Sequence, residues 1–269
     1  MTQSTHTVPH TTRRNLVIGI VGDESVHSTW LDDPGLRNFD LCLVYFGDDV
    51  GRYSDQVDYY FQRKGIKFWM LFDLAQEELG EIALHYDRIW IPDDDIAATT
   101  RQINQLFRFA KEYKLQIAQP AIGKGDVSFE ALRHHSKFVL RYTRFVEIMC
   151  PLFTLDAFSQ SLPTFQENRS GWGIDWVWSW TRPQHEVGVI DAVPVHHTRP
   201  LNSGGVRHRL KALGINPGRE CRAIRTKYGI RNKRHRKGLV RGTARLQAIT
   251  EDGEKVWTRP LFGWPRNAA

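Results

Sequence analysis

Cysteine is scarce in this chain of 269 residues: Cys42, Cys150 and Cys221 lie far apart, are odd in number and form no Cys-x-x-Cys pair. That pattern excludes a disulfide framework and a thiolate zinc site, and it fits a reducing compartment. Long apolar runs are missing as well. The first, Leu16 to Val21, is broken by glycine, is too short to span a bilayer and is not followed by a small-residue cleavage site. The sequence therefore reads as soluble and cytoplasmic. It holds no internal repeat, no low-complexity tract, no paired zinc ligands and no aromatic RNA-binding strand signature.

What is present is apolar enough to fold: 41% hydrophobic residues, 12% aromatics and nine tryptophans rule out a disordered chain. The length suits one large domain with an extension. Charge divides the chain in the same place. Residues 219–245 carry eleven Lys and Arg against one acid, Glu220, a local net charge of +10 in a chain whose total is +7, so the remainder stands at −3.

Apolar runs with strand character recur in the first half as "NLVIGIVGD", "FDLCLVYFGDD", "IKFWMLFDL", "YDRIWIPDDD" and "LQIAQPAI". Helix-compatible stretches separate them, the clearest from Ala97 to Lys114, where Ile103, Leu106, Phe107 and Ala110 recur at helical spacing. The alternation predicts an α/β fold with a mainly parallel sheet covered on both faces. Further along, "RYTRFVEIMCPLFT" reads as a strand, "LDAFSQSLPTF" as a short helix, "SGWGIDWVWSW" as a Gly- and Trp-rich turn into a helix, and "VGVIDAVPVHHTRP" as a strand. Residues 1–200 are thus expected to form the α/β domain. Residues 201–269 form a basic extension closed by a hairpin at Asp252-Gly253.

Three runs end in acids, namely Asp23, Asp48 with Asp49, and Asp93 to Asp95, and in a parallel sheet all three would line the edge where ligands bind. In "WIPDDDI", residues 90–96, Asp93 and Asp95 can turn toward one point and hold a hard divalent cation such as Mg²⁺ or Mn²⁺. The alternative is that the triplet caps the helix starting near Ala97. In "SGWGIDW", Trp172 offers a flat face for a sugar and Asp175 can accept a proton, against a plain helix start with buried tryptophans. His196 and His197 end a strand and can add an imidazole ligand. Glu147, an acid inside an apolar run, must be paired, hydrogen-bonded or functional.

In their order, "YDRIWIPDDDI", "LQIAQPAI", "FVEIMCPLF", "GWGIDW" and "VGVIDAVPVHHTRP" resemble a glycosyltransferase-like family of bacterial and plant proteins, a domain of unknown function whose plant members are labelled "lysine-ketoglutarate reductase trans-splicing related". The likeness runs from about Asp87 to Pro200, is weaker at "IVGDESVHSTWL" and does not reach the basic extension. It implies a GT-A-like nucleotide-sugar-binding domain in which Asp93 and Asp95 form the Asp-x-Asp motif and bind Mn²⁺ or Mg²⁺ on the donor diphosphate. His196 falls where the family pattern places its histidine. The "GWGIDW" element is similar to the Gly-Trp-Gly acidic loop of galactosyltransferase-like enzymes, which makes Asp175 the first choice for the base. That loop has adjacent acids in those enzymes, and here Ile174 and Trp176 flank a single one.

The resemblance implies transfer of a sugar from a nucleotide-sugar donor to a glycan or lipid-linked acceptor in surface polysaccharide synthesis. Asp175 or Glu147 would act as base on an inverting path, a retaining path would need no such base, and Asp23 would contact the nucleoside. The basic residues 219–245 would then attract an anionic membrane surface and hold the protein at the inner membrane face. Two other readings stay open: a nucleic-acid-binding protein acting through its basic tail, and a catalytically silent carbohydrate-binding relative.

Overall fold

Leu16, Ile18 and Ile20 point into one apolar cluster and Val17 and Val21 into another, so the first strand is buried on both faces. This is the pattern of a central strand in a covered parallel sheet. The structure is a computed structural model that describes residues 11–201, 210–230, 233–241 and 244–258. Its strands are β1 (Asn15–Val21), β2 (Asp40–Tyr45), β3 (Tyr59–Gln62), β4 (Arg88–Trp90), β5 (Ile96–Ala97), β6 (Ile117–Lys124), β7 (Phe138–Tyr142), β8 (Leu152–Thr154), β9 (Val187–His197), β10 (Gln247–Thr250) and β11 (Lys255–Trp257). Among the described residues they form one sheet, in the order β11-β10-β7-β9-β6-β8-β4-β1-β2-β3, with β5 beside β9.

Strands β3, β2, β1 and β4 are mutually parallel, and so are β6 and β9, while β8 runs antiparallel between the two groups. The helices are α1 (Lys67–Ala75), α2 (Glu78–Ala83), α3 (Thr100–Glu112), α4 (Leu155–Ser161), α5 (Ile174–Trp180), α6 (Pro217–Lys227) and α7 (Lys233–Arg241). Helix α3 covers one face with Ile103, Leu106, Phe107 and Ala110; helices α1, α2, α4 and α5 cover the other. The mainly parallel α/β architecture expected from the alternation is the one observed. No helix of the described residues is long and apolar enough to cross a membrane.

Two expected strands differ. "IKFWMLFDL" is helix α1, with Phe68, Met70, Leu71 and Leu74 buried and Lys67, Trp69, Phe72 and Asp73 less so, a helical rather than an alternating arrangement. Its run of apolar residues after Ile66 holds no β-branched side chain, which suits a helix, and the third strand is the unpredicted "YYFQ" of β3. "RYTRFVEIMCPLFT" is not one strand: β7 ends at Tyr142 and β8 begins at Leu152, and Glu147 lies on the irregular segment between them.

The extension shares this sheet. Strand β10 pairs antiparallel with β7 and, across the turn at Asp252-Gly253, with β11. Leu239 and Leu246 pack with Ala121, Phe145, Trp176 and Val189 in a third cluster. Under it, Arg141 of β7 and Asp191 of β9 form a buried pair at 2.7 Å, with exposures of 4% and 0%. The guanidinium also donates to the carbonyls of Ala131 and Arg133, and Asp191 accepts the N–H of His135. Removing one partner of such a pair strands a buried charge. Arg141→Met is therefore expected to lower stability by about 3–5 kcal/mol in denaturant unfolding, and a change below about 1 kcal/mol would contradict the pairing.

Candidate functional site

Strands β2 and β3 extend to one side of β1, and the chain then crosses to the other side to form β4. The junction between β1 and β4 is therefore the point where the winding reverses, and in open sheets of this kind ligands bind beyond the carboxyl ends of the strands at such a point. Gly22 and Asp23 follow β1, and Asp93, Asp94 and Asp95 follow β4. The triplet does not cap α3: Thr99 does, in a reciprocal capping box with Gln102.

Each carboxylate of the triplet meets one cation from a distant part of the chain. Lys67, the first residue of α1, donates to Asp93 Oδ1 at 2.5 Å and to the Ile148 carbonyl at 3.0 Å. A lysine at a helix N-terminus opposes the helix dipole, and the carboxylate offsets that cost. Arg199 donates to Asp94 Oδ1 at 2.9 Å, while Asp94 Oδ2 accepts the Gly22 N–H at 3.0 Å. His197 Nε2 lies 3.4 Å from Asp95 Oδ2, and Asp95 Oδ1 is buried without a hydrogen-bond partner. Thr198 clamps the Asp95 carbonyl through its N–H and its hydroxyl, at 2.8 and 2.9 Å.

Strand β5 decides which histidine arrives. It pairs Ile96 with His197 and Ala97 with His196. Neighbouring strand residues point to opposite faces, so only one of the two can reach the triplet. The structure brings His197, not His196, to Asp95. The His197 Nδ1 faces the Asp126 carbonyl at 2.9 Å, and its bond to Asp95 lifts its pKa to about 9, against the pull of burial. His196 has its pKa lowered by partial burial and by Lys124 and His197.

The segment between β7 and β8 runs along the triplet, with the Asp93 N–H on the Met149 carbonyl at 2.7 Å and the Ile91 N–H on that of Pro151 at 2.9 Å. It carries Glu147, whose N–H is held by Gln119 Oε1 at 2.7 Å. Burial pushes the Glu147 carboxyl up to about 7, with Ser128 pulling it down and Asp93 adding to the rise. Asp175, in the first turn of α5, is buried and is pushed up to about 8, first by burial and then by Glu147, although the Trp176 N–H donates to it at 2.9 Å. Loss of water, then the opposing effects of Lys67 and Asp95, leave Asp93 at about 6.

The loop before α5 is fixed to α1. Trp69 donates to the Asn168 carbonyl at 2.7 Å, and Asn168 binds the Gly171 N–H and the Trp172 carbonyl. Gly173, at φ +104°, adopts a conformation that side chains disfavour, and Trp172 is 38% exposed. Asp23, just after β1, has its side chain 58% exposed, accepts from Tyr45 and faces Arg52 at 3.9 Å. The structure thus brings Asp93, Asp95 and Glu147 within electrostatic reach of one another and Asp175 within reach of Glu147, while Asp23 follows β1 and Trp172 lies on the loop before α5. Lys67 and Arg199 were not singled out from the sequence, and of the two histidines that were, His197 is the one that reaches the triplet.

Two carboxylates at a water-facing edge, one with a buried oxygen lacking a partner, fit a hard cation that brings water and phosphate oxygens as its other ligands. Protein donors do not complete a shell: among the described residues no group of three or more His, Cys, Asp or Glu is placed to hold a metal ion.

No family model matches the chain, and no curated protein does. Among solved structures it is similar to S. aureus TarS residues 1–349, with 10% identity over 82% of this chain and 73% of that one, at a TM-score of 0.46. The other TarS structure gives 12% identity, 74% and 38% coverage and a TM-score of 0.45. TarS 1–349 has also been solved with UDP and with UDP-GlcNAc. A putative nucleotide-diphospho-sugar transferase from Desulfovibrio desulfuricans G20 gives 13% identity, 63% and 74% coverage and a TM-score of 0.38. The chain thus spans 38% of the longer TarS chain.

Glu147 and Asp175 hold protons more tightly when folded than an unfolded carboxylate does, so their contribution to stability is complete below about pH 4 and is lost as pH rises through about 7 and about 8. The protein is expected to melt lower at about pH 8.5 than at about pH 5.5, and Asp175→Asn to narrow that difference. An unchanged difference would show that Asp175 is not the buried acid described.

Proposed function

We propose that the chain is a glycosyltransferase of GT-A-like build that takes its sugar from a nucleoside-diphosphate donor. The observation that carries this reading is the convergence, at the reversal point of the sheet, of an Asp-x-Asp pair with two buried acids whose pKa values lie near neutrality. Asp93 and Asp95 would hold Mn²⁺ or Mg²⁺, which when bound neutralises charge on the departing diphosphate. His197 serves as the residue that orients Asp95, in place of His196 as a ligand. Lys67 and Arg199 add fixed positive charge beside the triplet, and Asp23 with Tyr53 borders the nucleoside end.

The acceptor hydroxyl attacks the anomeric carbon as the bond to the diphosphate oxygen breaks, the bonding pair leaving with the diphosphate. Asp175, with Glu147 beside it, takes the hydroxyl proton. A base tuned close to working pH is the efficient choice, and direct displacement inverts the anomeric centre. Trp172 supports the acceptor ring at the loop that carries this base. The acceptor is a glycan or a lipid-linked glycan of surface polysaccharide synthesis. The basic extension, residues 219–245, draws the cytoplasmic enzyme toward an anionic membrane face.

Nucleoside diphosphate release from a panel of nucleotide sugars with Mn²⁺ tests the reading. Asp93→Ala and Asp95→Ala are each expected to abolish metal-dependent donor binding, and Asp175→Asn to keep it while lowering turnover by about 10²- to 10⁴-fold. Undiminished donor binding in both alanine variants would overturn the metal site, and full turnover in Asp175→Asn would overturn the base.

A further inference from the structure

The Lys67 ammonium has three N–H groups to donate and three oxygens around it: Asp93 Oδ1 at 2.5 Å, the Ile148 carbonyl at 3.0 Å and the Ile91 carbonyl at 3.5 Å. Ile91 belongs to the segment that leads into the triplet and Ile148 to the segment that runs along it, so the amine is held from several directions, with its side chain 18% exposed. Asp93 and Asp95 are not equivalent as a result. Asp95 keeps a buried oxygen without a hydrogen-bond partner, whereas Asp93 already shares an oxygen with a permanent cation.

The triplet thus meets Lys67 and Arg199, both permanently charged, and the His197 imidazole. A divalent cation held by Asp93 and Asp95 would add positive charge to a group already supplied with it, and would come close to the ammonium that lies 2.5 Å from one of its two ligands. Like charges so near each other repel, and the more so where burial weakens the screening of water. A diphosphate reverses the balance, because it supplies the negative charge that such a cation would otherwise lack, and an ammonium is a strong partner for phosphate oxygens. The lysine stem is flexible, so the amine can exchange a carboxylate for a phosphate oxygen while helix α1 stays in place. Arg199 is placed differently: it binds Asp94 and the Glu24 carbonyl, at 2.9 and 2.7 Å, and so leaves the Asp93 and Asp95 carboxylates to others.

We propose that Lys67 makes cation binding at the Asp93–Asp95 pair depend on a diphosphate: in the free protein the ammonium occupies Asp93 and opposes a divalent cation, and an arriving diphosphate draws the ammonium from Asp93, so that cation and diphosphate bind together. This rests on the metal site of the glycosyltransferase reading and adds to it the condition under which that site fills. Lys67 keeps its charge throughout and changes only the anion it serves. The coupling is reciprocal, so the cation strengthens diphosphate binding by the same factor.

Mn²⁺ binding to the full chain, read from the paramagnetic resonance of the unbound ion, tests the proposal in the absence of nucleotide and with UDP, GDP or uridine, after allowance for the Mn²⁺ that each nucleotide takes up in solution. The unaltered protein is expected to bind Mn²⁺ about tenfold or more tightly with UDP or GDP than without, and uridine, which has no diphosphate, to leave the affinity unchanged. The decisive arm is the nucleotide-free protein. Lys67→Gln, which keeps a donor for the Ile148 carbonyl, and Lys67→Met are each expected to raise its Mn²⁺ affinity by about tenfold or more and to shrink the effect of the diphosphate, whereas Lys67→Arg, which keeps the charge, holds that affinity low. An unchanged nucleotide-free affinity in both neutral variants, or a rise in Lys67→Arg equal to theirs, would overturn the proposal and leave the metal site standing. Absence of Mn²⁺ binding from all four proteins, with and without nucleotide, would remove the metal site itself.

Discussion

Three adjacent carboxylates at the end of β4 repel one another, and the molecule is arranged around relieving that repulsion. Lys67 comes from α1, Arg199 from the loop after β9 and His197 from the end of β9, and each faces one acid of the triplet. These contacts tie the two halves of the sheet together across the antiparallel β8. They also fix the Gly22 N–H at the end of β1 and the segment that carries Glu147. The same charges that require these partners leave Asp95 with an unsatisfied buried oxygen, so the neutralisation is incomplete inside the protein.

The parallel sheet was legible because β1, β2, β4, β6 and β9 are apolar runs bounded by turn residues, and three of them end in acids at one edge. Helix α1 was not, because an unbroken run of apolar residues has no period that separates a buried helix from a buried strand. The choice between His196 and His197 was beyond the sequence for another reason: it depends on the register of a two-residue strand, and a slip of one position exchanges the two side chains. Arg199 and Lys67 meet the triplet across 105 and 26 residues of chain, separations that leave no local pattern.

The basic extension looked like a region with its own purpose. In the structure its charge and its packing separate by face: Glu220, Cys221, Ile224 and Tyr228 lie against the loop of residues 167–173, while Arg219 and Arg222 stay exposed. Strands β10 and β11 then anchor its far end in the common sheet. A region whose net charge is +10 in the sequence thus includes a helix with one packed structural face and an exposed cationic one.

The most direct test of the central claim is the melting temperature of the unaltered protein with a nucleotide sugar, with Mn²⁺, with both, and with the nucleotide sugar in chelator. A ligand that binds only the folded state raises its stability. The account predicts a clear upward shift only when nucleotide sugar and Mn²⁺ are present together. An equal shift in chelator would assign the diphosphate to Lys67 and Arg199 without a metal, and no shift with any nucleotide sugar would contradict the donor site altogether.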